Sequence, residues 1–281
     1  MEEYTIGEAG IGELPRFREW ARAEGWNPGG SDLLPFHAAD PGGFLLGRLG
    51  GEPVASLSAV RYGEDYGFLG FYLVRPALRG RGYGLRIWQA AVRRLGERNI
   101  GLDGVVAQQE NYRRSGFRRA WNHVRYEGVP SGEPAPADIA LADGRSVPFG
   151  RLAAYDRRFF PAERNAFLSL WLGLSAHVSL VAIRNGELAG LAVSRPAAAG
   201  VRVGPLYAAS PEVGLALLNG IAARAPGTAV VLDVPDVNPA AVGLVERLGL
   251  VPTFECARMY TGQVPEIDVY GIFATTTLEL G

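Results

Sequence analysis

The sequence contains no lysine: all 28 of its basic residues are arginine, which excludes a Schiff-base lysine and a Gly-Lys-Ser/Thr nucleotide loop. It has one cysteine, Cys256, so neither an internal disulfide nor a cysteine-based zinc site can form. Its three histidines, His37, His123 and His177, lack metal-ligand spacing and read as structural; no metal is expected. No window of 18 uninterrupted apolar residues occurs, and the opening MEEYTIGE is acidic where a signal peptide would be basic and then apolar. Neither a membrane partner nor export is therefore expected, and the expected location is the cytoplasm. The formal charge is −1, without the basic excess of a sequence-independent nucleic-acid binder, so no nucleic-acid partner is expected.

What is present is a globular composition. Of 281 residues, 48% are apolar and 20% charged, enough to bury a sizeable core in one large or two ordinary domains. The chain breaks at GVPSGEPAPAD, residues 128–138, where prolines, glycines and small or acidic residues show no apolar period.

Alternation and helical spacing propose the elements on either side. In the first half, Tyr4–Ile6, Phe44–Leu49, Pro53–Tyr62, Tyr66–Val74, Leu102–Ala107 and Trp121–Tyr126 read as strands. Glu13–Trp26, Gly82–Arg98 and Asn111–Ser115 read as helices. The second half repeats the order: helices at Leu152–Asp156 and Arg164–Leu172, then a hairpin of Val178–Arg184 and Leu188–Arg195 through Asn185-Gly186. A strand at Val201–Ala208, a helix at Pro211–Arg224, a strand at Ala229–Val234 and a helix at Pro239–Leu248 follow. Gly116-Phe117 precedes Arg125-Tyr126 as Gly249-Leu250 precedes Arg258-Met259-Tyr260, an echo that fits a duplication.

The stretch LVRPALRGRGYGLRIWQAAVRRLG, residues 73–96, carries the chemistry. A strand ends at Val74, a proline turn follows, and a glycine-arginine loop enters an amphipathic helix. Gly80, Gly82 and Gly84 allow close backbone approach, the helix start favours an anion, and Arg79 and Arg81 offer cationic forks suited to phosphate. A polyphosphate ligand is the physical reading. The glycines fall as G-x-G-x-G behind antiparallel-looking strands, which is not the dinucleotide fingerprint G-x-G-x-x-G.

At these residues the sequence resembles the GCN5-related N-acetyltransferases (GNAT family). The family's pyrophosphate loop, Q/R-x-x-G-x-G/A, is matched by Arg79, Gly82 and Gly84, and its Val-x-Pro preamble by Val74-Arg75-Pro76. Its Tyr-x-x-x-Gly-Phe is matched by Tyr112 through Gly116-Phe117. The resemblance implies an α+β fold of tandem GNAT-like domains, each a mixed, mainly antiparallel twisted sheet flanked by helices. Residues 1–128 would form the acetyltransferase domain, 129–138 a linker and 139–281 a degenerate GNAT-like domain that shapes the acceptor site or stabilises its partner. It implies acetyl-CoA as co-substrate, held by Leu73, Val74, Arg79, Gly80, Arg81, Gly82, Tyr83 and Gly84. It also places a thiolate-protonating phenol at Tyr112, the expected catalytic residue.

The implied activity is direct transfer of an acetyl group to a small-molecule amine in a ternary complex. A longer-acyl or aminoacyl transferase and a non-catalytic acyl-CoA sensor remain as alternatives. No general base is identifiable from the sequence: Glu64 and Asp65 precede the aromatic strand within reach of an amine, but their turn between strands is where solvated acids ordinarily sit; Cys256 reads as a small buried hydrophobe. In the second half, AASPEVGLALL lacks the arginines and glycines of the loop, Glu212 would repel a pyrophosphate, and Val245 stands where the tyrosine would be. Coenzyme A is therefore expected in the first half alone, with the acceptor between the halves.

Overall fold

A computed structural model describes residues 2–281. The first half runs β1 (Tyr4–Glu8), α1 (Leu14–Ala23), α2 (Leu33–Ala39), β2 (Phe44–Leu49), β3 (Glu52–Tyr62), β4 (Tyr66–Val74), α3 (Tyr83–Leu95), β5 (Asn99–Val105), α4 (Gln109–Arg114) and β6 (Arg118–Gly128). Residues 129–138 hold no helix or strand. The second half continues with β7 (Ile139–Asp143), α5 (Phe149–Asp156), α6 (Asn165–Gly173), β8 (Val178–Arg184), β9 (Glu187–Pro196), β10 (Val201–Ala208), α7 (Pro211–Ala222), β11 (Val230–Pro235), α8 (Pro239–Arg247), β12 (Val251–Tyr260) and β13 (Ile272–Ala274). Among the described residues no helix is long and apolar enough to cross a membrane.

The α+β class is as expected. All strands join one mixed sheet, antiparallel except where β4 meets β5 and β10 meets β11. The β8–β9 hairpin turns at Asn185-Gly186 with φ +54° and +79°, the left-handed pair a two-residue hairpin requires. The order β1-β2-β3-β4-β5-β12-β6-β11-β10-β9-β8-β7 interleaves the halves. β12 lies between β5 and β6, with Cys256 opposite Val105 on one side and His123 on the other. β6 in turn pairs with β11, setting Arg125 opposite Asp233.

The sheet parts at both of its parallel pairs. β4 and β5 pair only from Tyr66–Leu69 against Asn99–Leu102 and then part. The β3–β4 register shifts there, between Ser56 and Ser58, and Phe71 takes φ +48°. Ser56 Oγ donates to the Phe71 carbonyl at 2.9 Å, so this oxygen keeps a partner where the ladder is irregular. β10 and β11 part in the same way after Val203 and Leu232. In that second opening the chain itself supplies a filler, β13, which pairs with Leu206 and Tyr207 of β10.

Strand alternation sends Leu57 and Ala59 to one face, where Ile87, Trp88, Ala91 and Leu95 of α3 cover them, and Val60 and Tyr62 to the other. That second face carries an aromatic core in which Phe17, Phe36, Phe71, Phe167 and Trp171 join α1, α2 and α6 across the two halves. Phe36 stacks on Trp171 at 5.9 Å; each fully buried side chain of this kind contributes roughly 1.5–3 kcal/mol. Helix α2 has no sequence signal, being seven residues long with Pro35 inside it. Burial of Phe36 and the carboxylate of Asp32, which accepts from Gly29 N–H and from Arg195, hold it in place. Helix α3 ends at Leu95, short of the expected Arg98, because Gly96 adopts φ +62° and its N–H closes on the Val92 carbonyl.

Candidate active site

The loop between β4 and α3 begins with one 3₁₀ turn at Pro76–Leu78, closed by Leu78 N–H on the Arg75 carbonyl at 2.8 Å. Arg79 is extended; Gly80 and Gly82 then take φ +77° and +85°, a region that side chains with a Cβ rarely enter. Gly82 is the N-cap of α3 and brings no side chain to its first amides, which remain free to meet an anion at the positive end of a 13-residue helix. Gly84 serves close approach: a Cβ there would stand 2.7 Å from the Tyr72 hydroxyl and 3.1 Å from Val74 Cγ2. The helix start is thereby set directly on the splayed end of β4.

This cradle opens onto a cavity of about 660 Å³. Of the expected residues, Leu73, Val74, Arg79, Gly80, Gly82, Gly84 and Tyr112 line it. Arg81 and Tyr83 do not. Arg81 is exposed, whereas the Tyr83 ring lies against Tyr4 at 4.8 Å and its carbonyl accepts from the Tyr4 hydroxyl. Tyr83 can contribute its amide to the cradle but its side chain belongs to the packing of β1. Arg79 is more constrained than a free phosphate fork: its Nε donates to the Val74 carbonyl at 3.0 Å and its guanidinium pairs with Glu24. It braces the loop against β4 and the end of α1.

Tyr112 is 8% exposed, between the Trp88 ring at 5.4 Å and the Phe117 ring at 6.4 Å. Burial pushes its phenol above the usual range, nearby Tyr72 adding to the effect, so the group stays protonated at neutral pH. Packing of the ring is thus compatible with the expected proton-donor role. Asn111, next to it, is exposed and donates to Gln108. Glu64 and Asp65 stand at the far end of β4 and line no part of the cavity; the Glu64 side chain is 94% exposed, paired with Arg98 at 3.4 Å.

Other parts of the cavity wall come from segments that local sequence reading did not connect to it. β5 contributes Asp103, β6 Arg125, β12 Phe254 and Cys256, and the last residues Leu278 and Glu279. Cys256 is buried, as expected, and burial pushes its thiol well above the usual range, with Asp103 and Asp233 adding to the effect. A thiol so held is a poor nucleophile, which disfavours an acyl-cysteine route. Asp103, His123 and Cys256 lie within 4.8 Å of one another, but their donors are committed. His123 Nδ1 meets Asp103 at 2.9 Å, its Nε2 accepts from Trp121 at 3.1 Å, and Arg258 takes both Asp103 oxygens at 2.9 and 2.7 Å. Both ring nitrogens of His123 are thus engaged.

The second half differs where the cradle would be. Ser210 caps α7 through Val213 N–H, and Glu212 occupies its first turn. Val245 is buried, and Asn238 donates to the carbonyls of Tyr270 and Ile272 at 2.8 and 2.9 Å, tying down the segment that enters the second opening.

Two family models match, an acetyltransferase (GNAT) family over residues 13–117 and an acetyltransferase (GNAT) domain over residues 152–274. The chain is similar to holothin acyltransferase of a Pseudoalteromonas species, 33% identical over 282 positions that cover 100% of this chain and 95% of that protein. Its fold is similar to that of a putative acetyltransferase from Pyrococcus horikoshii, with a TM-score of 0.83 at 19% identity, covering 100% of this chain and 97% of that one. A tandem GNAT protein from the clavulanic acid biosynthesis pathway matches with a TM-score of 0.65 at 16% identity, covering 93% of this chain and all of that one. The chain belongs to the GCN5-related N-acetyltransferase (GNAT) family and is an acyltransferase of that type, with two GNAT domains in tandem.

Proposed function

We propose that the protein moves an acyl group, acetyl in the simplest case, from acyl-CoA to a small-molecule amine by direct attack within a ternary complex. The observation that carries this reading is the pairing of two features in one cavity. Its wall includes both Gly82, behind which the amides are unhindered, and Tyr112, whose phenol stays protonated at neutral pH. The cradle would take the pyrophosphate of acyl-CoA, with Arg79 holding the loop closed around it. The pantetheine arm would lie along the parted ends of β4 and β5, where main-chain groups of Leu73 and Val74 can pair with it like an added strand.

The amine nitrogen forms a bond to the thioester carbonyl carbon. The carbon–sulfur bond then breaks with its electron pair on sulfur, and Tyr112 supplies that sulfur with a proton. General acid help of this kind contributes typically 10²–10⁴ in rate. The second half would shape the acceptor end through β12 and the final residues, while its own opening, occupied by β13, would bind no coenzyme A. The 33% identical relative is named for acylating holothin, so holothin belongs in any acceptor panel.

The test is thiol release from acetyl-CoA across a panel of amines, alongside calorimetric binding of acetyl-CoA. Release that depends on an amine supports the transferase; binding without amine-stimulated release supports the acyl-CoA sensor instead.

A further inference from the structure

The proposed transfer lacks a group to take the amine's proton, and the acids nearest in sequence to the aromatic strand stand at the wrong end of β4. The last residues of the chain supply one. After β13 the chain runs back between the halves, held by Thr275 N–H on the Asp233 carbonyl at 2.9 Å, by the Tyr62 hydroxyl on the Leu280 carbonyl at 3.0 Å, and by Leu280 N–H on Thr277 Oγ1 at 3.0 Å. It crosses β4 where that strand has Gly70; a Cβ at this position would fall on the Glu279 carbonyl oxygen. These contacts place Glu279 in the wall of the cavity that also contains Tyr112 and the cradle.

Glu279 is 4% exposed and, among the described residues, its carboxylate has no hydrogen-bond or ion-pair partner; only longer-range charges act on it. The nearby cations make their ion pairs with other acids, although Arg202 Nε is left without a partner among the described residues. Arg125 on β6 grips both Asp233 oxygens at 2.7 and 3.2 Å, Arg202 on β10 pairs with the same carboxylate, and Arg195 on β9 holds Asp32. A buried carboxylate without a partner is costly and uncommon, and one facing an open cavity is free to receive a donor from a ligand.

We infer that Glu279 accepts an N–H of the acceptor's amino group and serves as the general base of the transfer. The inference rests on the transferase reading above and names the chemistry of its acceptor end: a primary amine presented to a carboxylate in a cavity whose lining also includes Trp26 and Phe254. As the nitrogen bonds to the carbonyl carbon, its proton passes to a Glu279 carboxylate oxygen. The thiolate leaves with the proton of Tyr112, and exchange with solvent restores both residues. Amine and thioester become amide and thiol.

Burial pushes the Glu279 carboxyl above its ordinary range, opposed by Arg202 and Arg125 and reinforced by Asp32 and Asp233, which suits a group that must hold and release a proton. The other titratable groups on the cavity wall are Asp103 on β5, Cys256 on β12, Tyr72 on β4, Tyr112 on α4, and Glu24 with Arg79 at the loop. Asp103 is paired with Arg258, and burial pushes the Cys256 thiol and the Tyr72 and Tyr112 phenols up, away from the acid limb expected for Glu279.

The experiment compares the unmodified chain with Glu279→Gln and Glu279→Asp, using acetyl-CoA and the amine that gives the fastest thiol release. kcat/KM is followed against pH, acetyl-CoA binding by calorimetry, and folding by thermal unfolding. Glu279→Gln is expected to lower kcat/KM by about 10²–10⁴ and to remove the acid limb contributed by the carboxyl, with acetyl-CoA affinity retained. Glu279→Asp is expected to recover part of the rate with a displaced limb. A Glu279→Gln chain with unchanged rate and limb overturns the assignment. Should that variant not fold, an unchanged limb in Glu279→Asp overturns it equally. Absence of amine-stimulated release in the unmodified chain would refute the transferase reading, and the base with it, whereas activity that survives Glu279→Gln refutes the base alone.

Discussion

A Cβ on Gly104 would stand 2.8 Å from the ring of Tyr112, so the phenol can lie over β5 only because that strand has no side chain there. Gly104→Ala is therefore expected to push the ring off its seat between Trp88 and Phe117. Turnover should fall about tenfold or more from misplacement of the proton donor, with acetyl-CoA affinity little changed. Steady-state kinetics and calorimetry on the same preparation check this; unaltered turnover would show that the position of the phenol is not critical.

Tyr112→Phe keeps the ring and removes the proton. Its ring contacts with Trp88 and Phe117 predict a folded variant whose turnover drops by about 10²–10⁴ at constant cofactor affinity. Wild-type turnover would reduce Tyr112 to a packing residue, with water protonating the thiolate.

Arg79 and Gly82 are expected to matter for binding, by different routes. The Arg79 side chain is 48% exposed and engaged with Glu24 and the Val74 carbonyl, so Arg79→Ala loosens the loop. The expected affinity loss for acetyl-CoA is about threefold to tenfold, within the range for a partly exposed charged contact. Gly82→Val should do worse. Left-handed backbone costs roughly 1–2 kcal/mol for a residue with a Cβ, and the side chain would cover the amides of the cradle. Calorimetric titration ranks the two variants; equal, wild-type affinity for both would remove the loop from the binding site.

Stability should respond to pH with opposite signs at two buried acids. Asp233 is desolvated, but Arg125 and Arg202 outweigh this and hold its carboxyl below the ordinary range. The stability it contributes is present above about pH 4 and lost as pH falls through its lowered folded value. Glu279 is raised, chiefly by burial, so its ionisation opposes folding once pH exceeds its ordinary value. Glu279→Gln should therefore unfold at a higher temperature than the unmodified chain at pH 8, a gain that shrinks in acid. A lower Tm at pH 8 would mean that the carboxylate stabilises the fold, contrary to its lack of partners.

Much of the first half was legible because its signals are local. Tyr66–Val74 matches its strand, as does Val201–Ala208 in the second half, and the loop motif follows β4 directly, as expected. What the sequence did not reveal depends on distant chain meeting distant chain. The insertion of β12 between β5 and β6 has no local signature, so Cys256 and Phe254 gave no sign that they would face the cavity. Helix α2 exists through the burial of Phe36 against Trp171, overriding a proline that argues for a break. Glu279 sits in TTTLELG, an unpatterned tail whose course is set by Gly70, two hundred residues away in the chain. Tyr83 turned outward because Tyr4 offered it a ring, a contact no spacing rule anticipates.

The most direct test is thiol release from acetyl-CoA by the purified, unmodified chain with and without an amine acceptor, with the amide product quantified by mass spectrometry. Release that requires the amine and equals the amide formed is the expected result, with one acetyl-CoA bound per chain. Tight binding of acetyl-CoA with no amine-dependent release, or two molecules bound per chain, would contradict it.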